Sequence, residues 1–353
     1  MKATKFLEID GSLGEGGGSI LRIAAGFSVL FNQPIRIKNI RANRSKPGLR
    51  MQHVVGLKTL SELTNSMLSD CDVGTKEITL IPKKALNKNI EVHIKTAGSI
   101  GLLLQPILIA CLGFNQPEEI KIIINGGGTF GKWAPSLNYL KDVTFKIFRE
   151  YGFKVEIDIQ KHGFYPKGGA HVNCLLYPSQ NNLKPILLTD LGNIDLIQGE
   201  IISTNQLKKK DIGERIRNSA QQQLKKHLKM NVNINFKYVP SMSPGVGLYL
   251  KACSDTGAII SSGTILGEKN ISSEQLGKFA ANELIKYIKN NVPVDNYLSD
   301  QLIPFMGIVK EPSRIKVLEI TSHTKTNLEL IKLFLNRNYR IIRENTHFII
   351  EFQ

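Results

Sequence analysis

The residues of this chain best suited to phosphate chemistry lie in a few short clusters. Ser322-His323-Thr324-Lys325-Thr326-Asn327 forms a predicted loop between a strand and a helix that begins at Asn327. An imidazole there can act as a nucleophile when a hydrogen bond to its other ring nitrogen fixes the tautomer. Ser322, Thr326 and Asn327 supply local partners and caps. Considered alone, His323 is more simply a histidine hydrogen-bonded within its loop. Gly14-Glu15-Gly16-Gly17-Gly18 sits between a predicted strand and a predicted helix, where exposed backbone N–H groups and the helix N-terminus favour an anion. A tight turn needing positive φ accounts for the glycines alone, but Glu15 adds a carboxylate able to hold a divalent metal, and Arg22 a cation one turn later. The spacing matches neither the P-loop nor the dinucleotide fingerprint. Arg41, Arg44 and Lys46 crowd the loop before the next helix, and guanidinium forks suit bidentate phosphate contacts, although a solvated basic loop looks the same. Gln52 and His53 follow in that helix, to reach the same site or to cap it. His162 and Tyr165, in Lys161 to Gly169, read as hairpin-turn residues.

These clusters need a scaffold that gathers them, and internal repetition supplies one. Phe31-Asn32-Gln33-Pro34 recurs as Phe114-Asn115-Gln116-Pro117, each preceded by an apolar helical run and followed by an alternating isoleucine strand. A loop ending in proline, a second helix and a strand pair complete each unit. The C-terminal stretch from about Tyr297 fits the same β-α-β-α-β-β template, with its first strand unassigned. The expected fold is therefore α/β (α+β): a large domain of three repeats over 1–182 and 279–353, with a small α/β domain inserted at 183–278. If three units share an axis, equivalent loops converge. The loops after each second strand carry Arg41 and Arg44, then Ala134 and Pro135, then His323. The starts of the first helices carry Glu15 to Gly18, Gly98 to Gly101 and Tyr297 to Gln301.

Composition narrows the class without choosing the chemistry. The 353 residues are 42% hydrophobic and 22% charged, which argues against disorder. Cys71, Cys111, Cys174 and Cys253 form no metal-ligand pair and suggest no disulfide framework. The longest apolar run, Ile100 to Leu112, is broken by Gly101, Gln105 and Pro106 and is too short to cross a bilayer. The first residues contain no signal-peptide core, so an intracellular location is expected: cytoplasmic, or nuclear in a eukaryote. Forty-six Lys+Arg against thirty Asp+Glu give a net charge of +16, which attracts polyanions or merely decorates a solvated surface.

Together the segments 14–22, 41–49 with Gln52-His53, 162–169, 297–302 and 322–327 resemble the RNA 3′-terminal phosphate cyclase family over nearly the whole chain. The resemblance implies three β-α-β-α-β-β units with an insertion before the last, an architecture shared with enolpyruvyl transferases. It also implies a reaction. His323 takes AMP from ATP, the AMP passes to an RNA 3′-phosphate, and the neighbouring 2′-hydroxyl displaces it to close a 2′,3′-cyclic phosphodiester. By the same resemblance Arg22, Arg41, Arg44, Gln52 and Gln105 hold phosphates, and Glu15 holds a divalent metal (Mg or Mn). Pro135 and Tyr297 sandwich adenine, while Asp300 and Gln301 contact the adenosine side. The implied partners are ATP and RNA with a 3′-phosphate; no membrane and no obligate protein partner are expected. Thr129-Phe130 stands where the family usually has Thr-Asp, and Ser19 where it has Gln. Two rivals remain: a non-catalytic, RNA-binding relative in ribosome assembly, which would lack the histidine, and an enolpyruvyl transferase, which would have no use for it.

Overall fold

The structure, a computed structural model, describes residues 5–14, 16–83, 85–115, 118–178 and 182–353. Gln116 and Pro117 of the second repeat motif lie outside them. The first elements are β1 (Leu7–Asp10), α1 (Gly18–Leu30), β2 (Ile35–Lys38), α2 (Met51–Thr64), β3 (Met67–Leu68) and β4 (Ile78–Ile81). They make a sheet of order β1-β2-β4-β3 in which only β1 and β2 run parallel. The next are β5 (Asn89–Ser99), α3 (Ile100–Cys111), β6 (Ile120–Gly128), α4 (Leu137–Tyr139), a π-turn leading into α5 (Phe145–Glu150), β7 (Val155–Lys161) and β8 (His171–Leu176). Their order is β5-β6-β8-β7, again with the first pair parallel.

The short strand β9 (Leu187–Leu188) precedes a different group: β10 (Ile194–Thr204), α6 (Ile212–His227), β11 (Val232–Val239), β12 (Val246–Ser254), β13 (Ile259–Ser261), β14 (Ile265–Leu266) and α7 (Ser273–Lys289). These five strands from β10 to β14 form a sheet of their own. Last come α8 (Asn296–Ile308), β15 (Ser313–Val317), α9 (Ser322–Leu335), β16 (Tyr339–Glu344) and β17 (His347–Phe352). Their sheet reads β9-β15-β17-β16, and β9 pairs parallel with β15. The result is a mixed α/β fold. Leu187–Leu188 lies within the stretch the sequence assigned to the insertion, yet it pairs with the C-terminal strands. A two-residue strand has no period for a sequence to reveal.

Local sequence explains the elements. Ile35 and Ile37 face inward while Arg36 and Lys38 face outward, the period of a half-buried strand. In α3 eleven residues are buried, which makes it a central helix rather than an amphipathic one. Helices from different sheets meet in one core: Phe27 of α1 lies edge-on to Phe334 of α9 at 5.4 Å, and Phe148 of α5 stacks on Phe305 of α8 at 5.3 Å. Because β1 and β2 are parallel, the loops that follow them leave from the same end of the sheet. That end carries the glycine turn and the arginine loop. No helix of the described residues is long and apolar enough to cross a membrane.

Asp295 ties these parts together. It is fully buried, caps α8 by accepting from Tyr297 N and Leu298 N at 3.0 Å, and also accepts from the Tyr139 hydroxyl at 2.8 Å and Ser261 N at 3.0 Å. Burial raises its carboxyl to about 6, with the four donors pulling the other way. Asp295→Ala strands these four donors, and a loss of at least about 3 kcal/mol is expected in urea unfolding. A loss below about 1 kcal/mol would contradict this role for Asp295.

Candidate nucleotide and phosphate site

The glycine turn after β1 is a surface on which other segments close. Gly14, at φ 62°, lies under Thr326 of α9: a β-carbon there would stand 2.5 Å from Thr326 Oγ1. Asn43 covers Gly16 and Arg44 covers Gly17. At Gly18 a β-carbon would overlap the His53 ring and sit 2.7 Å from Arg22 Nη1. Arg22, Arg44 and His53, together with the helix that carries His323, are therefore brought to one turn. Glu15, the expected metal ligand, lies outside the described residues.

Each cation is held in place. Arg22 Nε donates to Gln105 Oε1 at 2.8 Å, and burial lowers its guanidinium to about 10, so it stays charged at neutral pH. Gln105 is buried on α3 and also borders a void of about 20 Å³ with Gln301. Arg41 has φ 55° and donates through Nη1 to Lys46 O and Gly48 O, both at 2.8 Å, so it braces its own loop. Burial and the nearby charges of Arg50 and Arg44 lower its pKa. Gln52, on the first turn of α2, is half-buried against Gly98.

His53 is buried, and its Nδ1 accepts from Arg50 N at 3.1 Å. Burial, then the charges of Arg22, Arg41 and Arg50, push its pKa down to about 3. The ring is neutral at pH 7 with its proton on Nε2, the nitrogen that faces Gly18.

His323 stands at the second residue of α9, not on a loop before it. The helix starts early because Thr321 caps it, accepting from Thr324 N at 2.9 Å. Asp300 Oδ1 locks the cap by accepting from Thr321 Oγ1 at 2.5 Å and Thr324 Oγ1 at 2.8 Å, and Asp300 O accepts from Asn327 Nδ2 at 2.9 Å. The imidazole thus lies in a helix's positive first turn.

It also lines a cleft of about 640 Å³, within the ~300–1,000 Å³ range of small-molecule sites. Tyr297, Asp300, Thr321 and His323 form one wall, and Phe279 and Glu283 of α7 help form the other. The Tyr297 ring rests on Gly263 and meets Tyr139 edge-on at 5.9 Å. Pro135 is buried and does not line the cleft, although its neighbour Ser136 donates from N to Thr264 Oγ1 at 2.9 Å. Gln301 lines the void beside Gln105, away from the cleft.

Asp295, Phe279 and Glu283 had not been singled out from sequence. Asp295 precedes a helix in the manner of an N-cap, a signal that was readable. Phe279 and Glu283 share one face of α7, but only tertiary packing brings that face to His323. Phe130, which replaces the family's usual aspartate, is buried and stacks on Phe164 at 5.1 Å. Among the described residues no group of three His, Cys, Asp or Glu could hold a metal by itself.

A family model described as RNA 3′-terminal phosphate cyclase matches residues 13–341. A protein of that name from Thermococcus gammatolerans is 37% identical over 337 residues, covering 96% of this chain and 94% of its own length. One from Pyrococcus furiosus is 37% identical over 333 residues, covering 94% of each chain. A probable RNA 3′-terminal phosphate cyclase from Dictyostelium discoideum is 36% identical over 340 residues, covering 95% of this chain and 78% of its own.

The depressed pKa of His53 fixes the sign of an acid effect. The unfolded chain protonates this histidine near 6.5 and the folded chain near 3, so its stabilising contribution is intact above about 6.5 and erodes as pH falls toward 3. In His53→Gln the slope of unfolding free energy between about pH 6 and 4 should shrink by up to about 1.4 kcal/mol per pH unit. An unchanged slope would assign the acid sensitivity to other groups.

Proposed function

The chain belongs to the RNA 3′-terminal phosphate cyclase family and is an enzyme of that class, and we propose that it closes RNA 3′-phosphates through AMP carried on His323. The observation that carries this is the placement of His323: it lines the cleft with Tyr297 and Asp300 on a helix that also touches the glycine turn. The cleft wall includes Asp300 and Glu283, acceptors suited to ribose hydroxyls. Arg22 and Arg44 lie against the turn, and the charge of Arg41 acts on His53 beside it, so a polyphosphate would find cations there. ATP is the nucleotide that the resemblance of the sequence motifs implies.

In the first step a ring nitrogen of His323 attacks the α-phosphorus of ATP. A P–N bond forms, the bond to the β-phosphate oxygen breaks, and pyrophosphate leaves. In the second an RNA 3′-phosphate oxygen attacks the same phosphorus, breaking the P–N bond and leaving a phosphoanhydride. In the third the 2′-hydroxyl oxygen attacks the RNA phosphorus, AMP departs, and the hydroxyl proton is lost to solvent or a base. Arginines and the α9 N-terminus would stabilise the negative oxygens gathered at each step. By the family resemblance Glu15 would hold a divalent metal, and such an ion would neutralise charge on the phosphates. Adenine would stack on Tyr297; Pro135 would join it only if the segment at 263–264 shifts.

The recurring strand order of the three four-stranded sheets supports three copies of one unit. The pairing of β9 with β15 and the packing of α7 on α6 favour an insertion at about 194–289 rather than 183–278. The reaction would take place in the cytoplasm, or the nucleus of a eukaryote.

Incubation with α-labelled ATP and magnesium or manganese should leave acid-labile label on the wild-type chain and none on His323→Ala. Arg22→Ala should slow labelling about 100-fold. Label retained on His323→Ala would reject the nucleophile, and an unlabelled wild type would favour a non-catalytic RNA-binding relative.

A further inference from the structure

Beyond the cleft, two loops of the second sheet form one fixed rim. The loop after β6 and the loop between β7 and β8 are joined by Thr129 N donating to Gly163 O at 3.0 Å and by Thr129 Oγ1 bonded to His162 Nδ1 at 3.1 Å. The Phe130 and Phe164 rings stack at 5.1 Å, 9° from parallel. They rest on Gly247 and Gly245, and Lys167 N donates to Ser243 Oγ at 3.1 Å. His162, read from sequence as a turn residue, is thus a buried strut.

On this rigid base stand two aromatic side chains almost wholly in solvent: Trp133 at 87% exposure and Tyr165 at 80%. Folding buries neither ring, and Trp133 holds φ 60°, a conformation that bulky residues rarely adopt. Lysines surround them. Lys132 Nζ lies 5.3 Å from the Trp133 ring centroid and 2.9 Å from Glu268, while Lys161, at the end of β7, and Lys167, on the second loop, are exposed. Exposed aromatic faces among cations suit unpaired nucleobases and the phosphates that link them. A duplex, whose bases are already stacked on one another, would find little here.

The rim is continuous with the cleft. The Trp133 loop ends at Pro135 and Ser136, Ser136 bonds Thr264, and Gly263 supports the Tyr297 ring. We propose that Trp133, Tyr165 and the lysines beside them dock the single-stranded RNA upstream of the reacting 3′ end. This rests on the cyclase assignment of the cleft and adds a strand path to it.

Trp133 is the only tryptophan, so its emission reports on the rim directly. Titration with a roughly twelve-nucleotide single-stranded RNA, without ATP, should quench it, and a duplex of equal length should not. By anisotropy, Trp133→Ala and Tyr165→Ala should each weaken binding of that RNA about tenfold. Lys161→Ala with Lys167→Ala should flatten the salt dependence of binding by about two phosphate contacts. RNA binding that leaves indole emission unchanged, or affinity within about twofold in both aromatic variants, would overturn the proposal. AMP labelling of wild type by ATP alone separates the two claims. A chain that takes no AMP but shows the quench keeps the docking surface and loses the cyclase chemistry; one that takes AMP without the aromatic effects does the reverse.

Discussion

Between β1 and α1 the backbone at Gly14, Gly16, Gly17 and Gly18 has no β-carbon, and side chains from distant segments fill the room this leaves. Thr326 comes from α9, Asn43 and Arg44 from the loop after β2, His53 from α2 and Arg22 from α1. A methyl group at Gly18 would displace both Arg22 and His53, while one at Gly14 would press on the helix that holds His323. The positive φ at Gly14 and Gly16 adds a backbone reason for glycine there. Charge explains why a neutral histidine belongs in this company. Surrounded by Arg22, Arg41 and Arg50, a protonated His53 would be repelled and desolvated at once, so the ring remains a donor without charge.

The second constraint is the cap of α9. Asp300, from α8, binds both threonine hydroxyls of the first turn and thereby fixes where His323 starts its helix. This links the cleft wall to the element bearing the imidazole. The two sides of the site differ in sign. Asp300 and Glu283 line the cleft, whereas the guanidinium groups gather at the glycine turn. A nucleotide, neutral and hydroxylated at one end and anionic at the other, matches that division.

Much of this was legible in the residues. Alternating isoleucines marked β2 and β6, and the glycine turn stood out between a strand and a helix; His323, expected on a loop, stands instead in the first turn of α9. Legibility failed where long-range packing decides. β9 is too short to carry a period, and its partner β15 lies more than a hundred residues away in sequence. The start of α9 was missed because Thr321 capping competes with a loop rich in Ser and Thr, and the outcome depends on Asp300 from another helix. The cleft wall formed by α7 could not be read from a helix whose face looks ordinary until it meets α8. Phe130 departs from the family pattern at the loop after β6, where it stacks on Phe164 of the same sheet and packs against Gly247 of β12 in another.

The central claim is that His323, held by the capped first turn of α9, is the atom-for-atom carrier of AMP. Its most direct measurement is tandem mass spectrometry of peptides after incubation with ATP and a divalent metal, under conditions that preserve a phosphorus–nitrogen bond. An adduct of AMP mass on His323, within the peptide Val317 to Lys325, is the predicted result. An adduct on a lysine or any other histidine, with His323 unmodified, would contradict it.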